Sequence, residues 1–248
     1  MTNGGPETHA AQLDSYSPAQ NDVGLQSARA VVPLIMSLTA PMSVIDVGCG
    51  PGNWLAAFRE RGITDIFGVD QHDYGADLRI PHDRFQVVDL NKPFQSERKF
   101  DLVICVEVAE HLAPESAPIL IESLARLGSV VVFSAAIPFQ GGTDHRNEQW
   151  PDYWRRLFGT HEFVPLDCLR PRIWENREVA WWYSQNILLY VNEEYLAANA
   201  GLRAEAEHLP MYPLALVHPS LYAKRMAANL PAPPTGFMRR ALSALRRV

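Results

Sequence analysis

Four acidic residues stand at the ends of short apolar runs: Asp46 in SVIDV, Asp70 in GVD, Asp89 in VVDL and Glu107 after LVICV. If those runs are strands of one parallel sheet, their carboxyl ends form the edge at which open α/β sheets bind ligands. Between the first two acids lies Asp46-Val-Gly48-Cys-Gly50-Pro-Gly52-Asn53. Glycines between a strand and a helix allow a tight turn and let a ligand approach the backbone. A dinucleotide loop reads G-x-G-x-x-G, with the pyrophosphate on the helix N-terminus. Here the spacing is G-x-G-x-G, Asn53 stands where the third glycine is wanted, and Pro51 lacks the N–H that a phosphate would use. Asp46 is ill placed for a pyrophosphate but suits a cation. A carboxylate at Asp70 can take both hydroxyls of a ribose. Asp89 can meet an adenine amino group, and Leu90 can pack on the ring. With Glu107, the set suits a ligand carrying a ribose, an adenine and net positive charge.

A second polar group lies in the segment Pro138 to Trp154, PFQGGTDHRNEQWPDYW. Gly141 and Gly142 precede Asp144, His145, Asn147 and Glu148, which crowd polar chemistry into five positions. An imidazole with a near-neutral pKa suits removal of a proton from an alcohol. His145 is therefore the first candidate base, with Glu148 the acid to orient it. His111, in the pair Glu110-His111 that is expected to start a helix after the strand LVICV, is the second. Trp150 and Trp154 lie four apart, as on one helix face. Tyr153, Phe158, Trp174, Trp181, Trp182 and Tyr183 add further rings. Rings beside carboxylates and amides make a surface for a sugar, so Asp144, Asn147, Trp150, Tyr153 and Trp181 are the expected acceptor contacts. The same rings serve equally as core and lid packing. Asp144, His145 and Glu148 could also supply ligands to Mg²⁺, although that ion prefers oxygen. C-x-x-C and H-E-x-x-H are absent, which counts against zinc.

These residues need a scaffold. The short runs Ser43–Val47, Asp65–Val69, Phe85–Val88, Leu102–Val106 and Val130–Ala135 are nearly all apolar, and segments of helix length separate most of them. That pattern indicates a parallel sheet covered on both faces. Apolar spacing predicts a helix over Val23–Leu38, another over Trp54–Arg61 stopped by Gly62, and a third over Pro114–Leu127. Strands are expected at Phe163–Leu166 and Asn186–Val191. The fold class is α/β: a doubly wound, Rossmann-like sheet, with an N-terminal helix and a C-terminal helical extension. The domain plan is a mobile segment over 1–20, a core domain over 21–208 with an acceptor-binding insertion at about 138–183, and a basic extension over 209–248.

The 248 residues carry a net charge of −6. No Asp or Glu follows Glu207, and the last 41 residues hold Lys224, Arg225, Arg239, Arg240, Arg246 and Arg247. They contribute +6, so the preceding chain carries −12. An acidic body argues against nucleic acid as the main ligand. The basic tail is read as a solvated terminal helix, with an anionic membrane or a partner as the alternative. Cys49, Cys105 and Cys168 are too few for a disulfide framework and fit a reducing compartment. The longest apolar stretch, Val31 to Val47, is interrupted by Pro33, Pro41 and Asp46, so no transmembrane span is expected. The first 20 residues lack the pattern of a secretory signal, and the cytoplasm is the expected location.

VIDVGCGPGNW, GVD, VVDL and FDLVICVEVAEHL, in this order and spacing, resemble the successive motifs of the class I S-adenosylmethionine-dependent methyltransferases. The resemblance runs from about Ser43 to Val191. It implies a sheet ending in an antiparallel strand, here Asn186–Val191. It implies that Gly48, Gly50 and Asn53 line the methionine part of S-adenosylmethionine, that Asp70 takes the ribose and Asp89 the adenine, and that Asp46 sits near the amino group. Trp54 is placed either near the cofactor or in the core. SAAIPFQGGTDHRNEQWPDYW resembles a subgroup of bacterial sugar and polysaccharide O-methyltransferases, such as the mycobacterial 1-O-methyltransferase of methylmannose polysaccharide synthesis. Some sugar methyltransferases hold vicinal hydroxyls on Mg²⁺, which keeps that ion among the expected cofactors. The expected partner is a small-molecule or oligosaccharide acceptor, and a homodimer is compatible with the chain. The competing readings are a methyltransferase of a polyketide or quinone precursor, an NAD-dependent dehydrogenase, and a non-catalytic cofactor-binding module.

Overall fold

A computed structural model describes residues 18–209 and 213–229. Of the mobile segment expected over 1–20, residues 1–17 lie outside the described residues, as does the basic tail from Gly236 onward. Pro18 to Gln20 already belong to the first helix. The chain divides into two compact units, Met1–Leu216 and Val217–Val248.

The first unit is built on a seven-stranded sheet. Its strands are β1 (Ser43–Val47), β2 (Asp65–Asp70), β3 (Phe85–Val87), β4 (Leu102–Val106), β5 (Val130–Ser134), β6 (Phe163–Leu166) and β7 (Leu188–Asn192). Their spatial order is β3-β2-β1-β4-β5-β7-β6. The pairs β1–β2, β1–β4, β2–β3 and β4–β5 are parallel, and β7 runs antiparallel to both β5 and β6. This is the Rossmann-like α/β sheet that the strand pattern predicts. Its order reverses at β1, which β2 and β4 flank, the place where open α/β sheets form their ligand crevice.

The helices are α1 (Pro18–Thr39), α2 (Asn53–Glu60), α3 (Ala117–Leu127), α4 (Pro151–Gly159), α5 (Arg170–Ile173), α6 (Trp181–Asn186), α7 (Glu193–Ala198) and α8 (Ala200–His208). The second unit contributes α9 (Pro219–Asn229). Strand residues alternate between two apolar clusters, as a pleat requires. Val44, Val130 and Val132 join α1 and α2 through Ala28, Val31, Ile35, Leu55 and Phe58. Ile45, Val131 and Phe133 join α3 and α4 through Leu120, Leu124, Trp154 and Phe158. The fully buried strands β1, β4 and β5 owe their unbroken apolar sequences to this double cover.

Two expectations need correction. Glu110-His111 does not open a helix; it lies in a turn, and helical winding begins with the short 3₁₀ segment Pro114–Ser116. The Glu110 carbonyl accepts from Arg146 N–H at 2.7 Å and Asn147 N–H at 3.0 Å, so it is not spent on a helical bond four residues on. Trp150 and Trp154 do not share a face. Trp150 caps α4 in an extended conformation and is 41% exposed, whereas Trp154 is buried against Phe133.

Arg170 is buried on α5. Its Nε and Nη2 donate to Asp167 at 2.8 and 2.6 Å, and Nη1 donates to the carbonyls of Gln185 and Leu214. Removing one partner of a buried pair strands the other. Arg170→Ala should lower unfolding free energy by about 3–5 kcal/mol in urea titrations. A change near 1 kcal/mol would show that Asp167 finds water instead.

Candidate active site

The turn after β1 is held by backbone. Gly48 N–H and Cys49 N–H both donate to the Val69 carbonyl, at 2.7 and 3.0 Å, which ties the loop to β2. Gly48 has φ +79°, and a Cβ there would lie 2.4 Å from Val108 Cγ2, so no side chain fits. Gly50 has φ +56°, but its Cβ would meet only the Tyr74 hydroxyl at 3.9 Å. The loop therefore packs on its Gly48 side and stays open on its Gly50 side. Asn53 is the buried first residue of α2. Trp54 is buried, edge-on to Tyr183, in the cluster under α1.

Asp70 closes β2 and is buried. It accepts from Gly50 N–H at 2.8 Å and His72 N–H at 3.0 Å. Burial raises its pKa, and those backbone donors pull it back. Asp46 is buried on β1, and its Oδ2 meets no donor. Burial, and then the charge of Asp70, push the Asp46 carboxyl well above the usual carboxylate range. Asp89 is exposed, accepts from Asn91 N–H at 3.0 Å and pairs with Lys92 at 3.0 Å. The Lys92 and Asn91 hydrogen bonds hold its pKa down. Leu90 is buried in the cluster under α3.

Glu107 follows β4 with φ +53°, a left-handed conformation that is strained for a glutamate. Its carboxylate accepts from Asn186 Nδ2 at 3.0 Å and Gln140 Nε2 at 3.2 Å, and Gln185 Nε2 donates to Gln140 Oε1 at 2.9 Å. Glu110 is fully buried. No N–H is aligned to bond either of its oxygens. Burial, and then the Glu107 charge, raise the Glu110 pKa well above normal. Burial also raises Glu107, against the hydrogen bonds from Asn186, Ser134 and Gln140. Of the two, Glu110 is the one that holds a proton.

His111 and His145, 34 positions apart, meet edge to face with ring centroids 4.9 Å apart. Burial, and then the neighbouring His145, lower the His111 pKa to about 4, so its ring is neutral at pH 7. Glu148 Oε1 lies 2.9 Å from His145 Nδ1. Glu148 also accepts from Phe139 and Gly141 N–H at 2.8 and 2.6 Å, so one carboxylate fixes both the ring and its loop. Gly142 lets the imidazole in, because a Cβ there would lie 2.2 Å from His145 Nε2. Phe139 and Asp144 share the left-handed strain of Glu107, at φ +67° and +55°. Asn147 is buried, with its Oδ1 taken by Gln149. Asp144 is exposed.

The ring residues separate. Trp150 and Tyr153 line an open cavity of about 370 Å³ with Gln149, Asp152, Arg156 and Ala215. Trp181 is half-buried, edge-on to Trp182. Sequence reasoning missed Gln140, Gln185 and Asn186. The polar run Ser184-Gln185-Asn186 ahead of an apolar strand was the available signal.

A family model described as a methyltransferase domain matches residues 24–176. The chain belongs to this family. The methyltransferase domain is similar in fold to DesVI of Streptomyces venezuelae, with TM-score 0.53, 15% identity, and coverage of 75% of this chain and 98% of that one. KedS8, a sugar N-methyltransferase from Streptoalloteichus sp. ATCC 53650, gives TM-score 0.54 at 14% identity over 77% and 96%. The magnesium protoporphyrin IX methyltransferase ChlM of Synechocystis PCC 6803, with bound SAH, gives 0.54 at 19% identity over 74% and 95%. A stretch of 27 residues is 67% identical to ribosomal RNA large subunit methyltransferase E of Caulobacter sp. (strain K31) and spans 12% of that protein. Among the described residues no helix is long and apolar enough to cross a membrane.

The two glycines of the loop should part in their response. Gly48→Ala forces Cβ into Val108 and should lower the melting temperature by several degrees, as for a loss of about 2–3 kcal/mol. Gly50→Ala carries only the left-handed strain of about 1–2 kcal/mol. Equal melting temperatures for the two variants would contradict the packing of the Gly48 side.

Proposed function

We propose that the chain is an S-adenosylmethionine-dependent O-methyltransferase acting on a hydroxyl of a sugar or oligosaccharide, of the kind used in polysaccharide biosynthesis. The residues fit the cofactor. The loop is open at Gly50, Asp46 Oδ2 is a buried acceptor without a donor, and the edge is acidic where a sulfonium and an ammonium would be welcome. In this reading Gly48, Gly50 and Asn53 hold the methionine part, Asp70 the ribose, and Asp89 with Leu90 the adenine. When bound, the cofactor supplies an electrophilic methyl group.

The observation that carries the choice of a hydroxyl is the imidazole pair. An alcohol attacks well only if its proton leaves as the O–C bond forms, while the electron pair of the breaking C–S bond stays on sulfur. His111 and His145 stand together beside a carboxylate that fixes the His145 ring. Such a pair serves a hydroxyl either by taking its proton or by holding a cation that acidifies it. An Nδ1–H donated to Glu148 leaves a lone pair on His145 Nε2. The case for a sugar rests on the cavity in which Trp150 and Tyr153 stand beside Gln149, Asp152 and Arg156. Rings give a flat apolar face, and the polar groups give hydrogen bonds to hydroxyls.

Two experiments test this reading. In calorimetry, S-adenosylhomocysteine should bind and NAD should not, and Asp70→Ala should cost about 1.5–3 kcal/mol of that binding. Unchanged affinity would remove Asp70 from the cofactor site. In a methyl-transfer assay against mono- and oligosaccharides, His145→Ala should keep cofactor affinity and lose about 10²–10⁴-fold in turnover. Retention of more than about a third of wild-type turnover would take the hydroxyl chemistry away from His145.

A further inference from the structure

Among the described residues, one trio of His, Cys, Asp and Glu side chains can close on a single ion: Glu110, His111 and His145. One ligand atom from each lies within 4.8 Å of the others. Bonds of about 2.0–2.2 Å bring the ligands of one ion to roughly 3–3.5 Å from each other, a closure that side-chain rotation supplies. Three further features concern the same trio. Glu110 is fully buried, and its oxygens meet only poorly aligned neighbours, the Glu107 carboxyl and the backbone N–H groups of Glu110 and Ala136. A buried carboxyl so poorly satisfied, with another carboxyl beside it, gains from an ion. Glu148 sits on His145 Nδ1, the arrangement in which a carboxylate fixes a ligating imidazole and leaves Nε2 to the metal. The backbone sets the spacing, because Arg146 and Asn147 N–H both bond the Glu110 carbonyl and so hold His145 close to Glu110 and His111.

We propose that Glu110, His111 and His145 bind a divalent transition-metal ion of the Mn²⁺, Fe²⁺ or Co²⁺ type. Two imidazoles with one carboxylate suit such ions and leave coordination positions open for a ligand oxygen. Mg²⁺, which the sequence admitted with Asp144, His145 and Glu148, takes oxygen ligands and is poorly served by two imidazoles. Asp144 is exposed, and Glu148 is engaged by the ring and by two backbone N–H groups, so neither belongs to the trio. In the acceptor reading, on which only the ion's role rests, the ion binds the acceptor hydroxyl and lowers its pKa. The proton then leaves to solvent or to a nearby carboxylate.

The test needs neither cofactor nor acceptor. The full chain, stripped with a chelator, is titrated with Co²⁺ while visible absorption and heat are followed. One ion per chain should bind, with the d–d bands of nitrogen and oxygen ligation, and excess Mg²⁺ should not displace it. His145→Ala, on a loop, should remain folded by circular dichroism and lose the bands. Glu148→Gln should weaken binding by about 10–100-fold. Glu110→Gln provides the third ligand's test if it folds. Absence of stoichiometric binding by the wild type, or bands unchanged in folded His145→Ala, overturns the trio. Methyl transfer that persists in chelated protein alongside such a result leaves the methyltransferase reading standing and removes only the ion.

Discussion

Carboxyl groups packed against one another at the end of a sheet are electrostatically unfavourable, and this site contains two such pairs. Asp46 lies within reach of the charge of Asp70, and Glu110 within reach of that of Glu107; burial raises all four, and the more buried carboxyl of each pair the most. Asp70 and Glu107 are held by backbone and amide N–H groups, which steady a carboxylate without neutralising it. Such an edge gains from any cation that binds there. The loop geometry, the strained turn at Glu107 and the buried amides around it all keep these acids in place. The first pair faces the glycine loop and the second faces the imidazoles, so positive charge can be accepted at two neighbouring points.

Much of this was legible in the chain because it obeys local rules. An unbroken apolar run with an acid at its end signals a doubly covered strand meeting a ligand edge, and the expected strands coincide with the observed ones within two residues at each end. The glycine loop was legible because three of its positions, Gly48, Gly50 and Gly52, take left-handed backbone that a side chain resists. Glu148 could be singled out for His145 because the two are three residues apart.

What escaped depends on separations along the chain. His111 and His145 belong to segments joined through the Glu110 carbonyl and the Thr143 backbone, and no spacing rule connects them. The amides of Gln140, Gln185 and Asn186 carry no chemistry of their own and were passed over, yet Gln140 and Asn186 hold the Glu107 carboxylate and Gln185 holds those two amides. The two tryptophans were misread because a periodicity argument assumes a continuous helix, and Trp150 lies just before the first turn. Pro151, at the first helical position, supplies the reason, since the residue before a proline is driven into extended backbone.

Strand β7 is the last to leave the ribosome, but in space it lies between β5 and β6. During synthesis β1 to β5 can pair as they emerge, whereas β6 has no neighbour until β7 arrives between them. Closure of the sheet is thus a late, long-range event in a chain that otherwise pairs early. Asn186, which steadies Glu107, lies two residues before β7 and comes into place with it. A nascent chain halted before that point would carry the glycine loop, both histidines and Gln140, but would lack the second amide, Asn186, on the Glu107 carboxylate. The amide support of the Glu107 carboxylate is therefore completed only once β7 has been made.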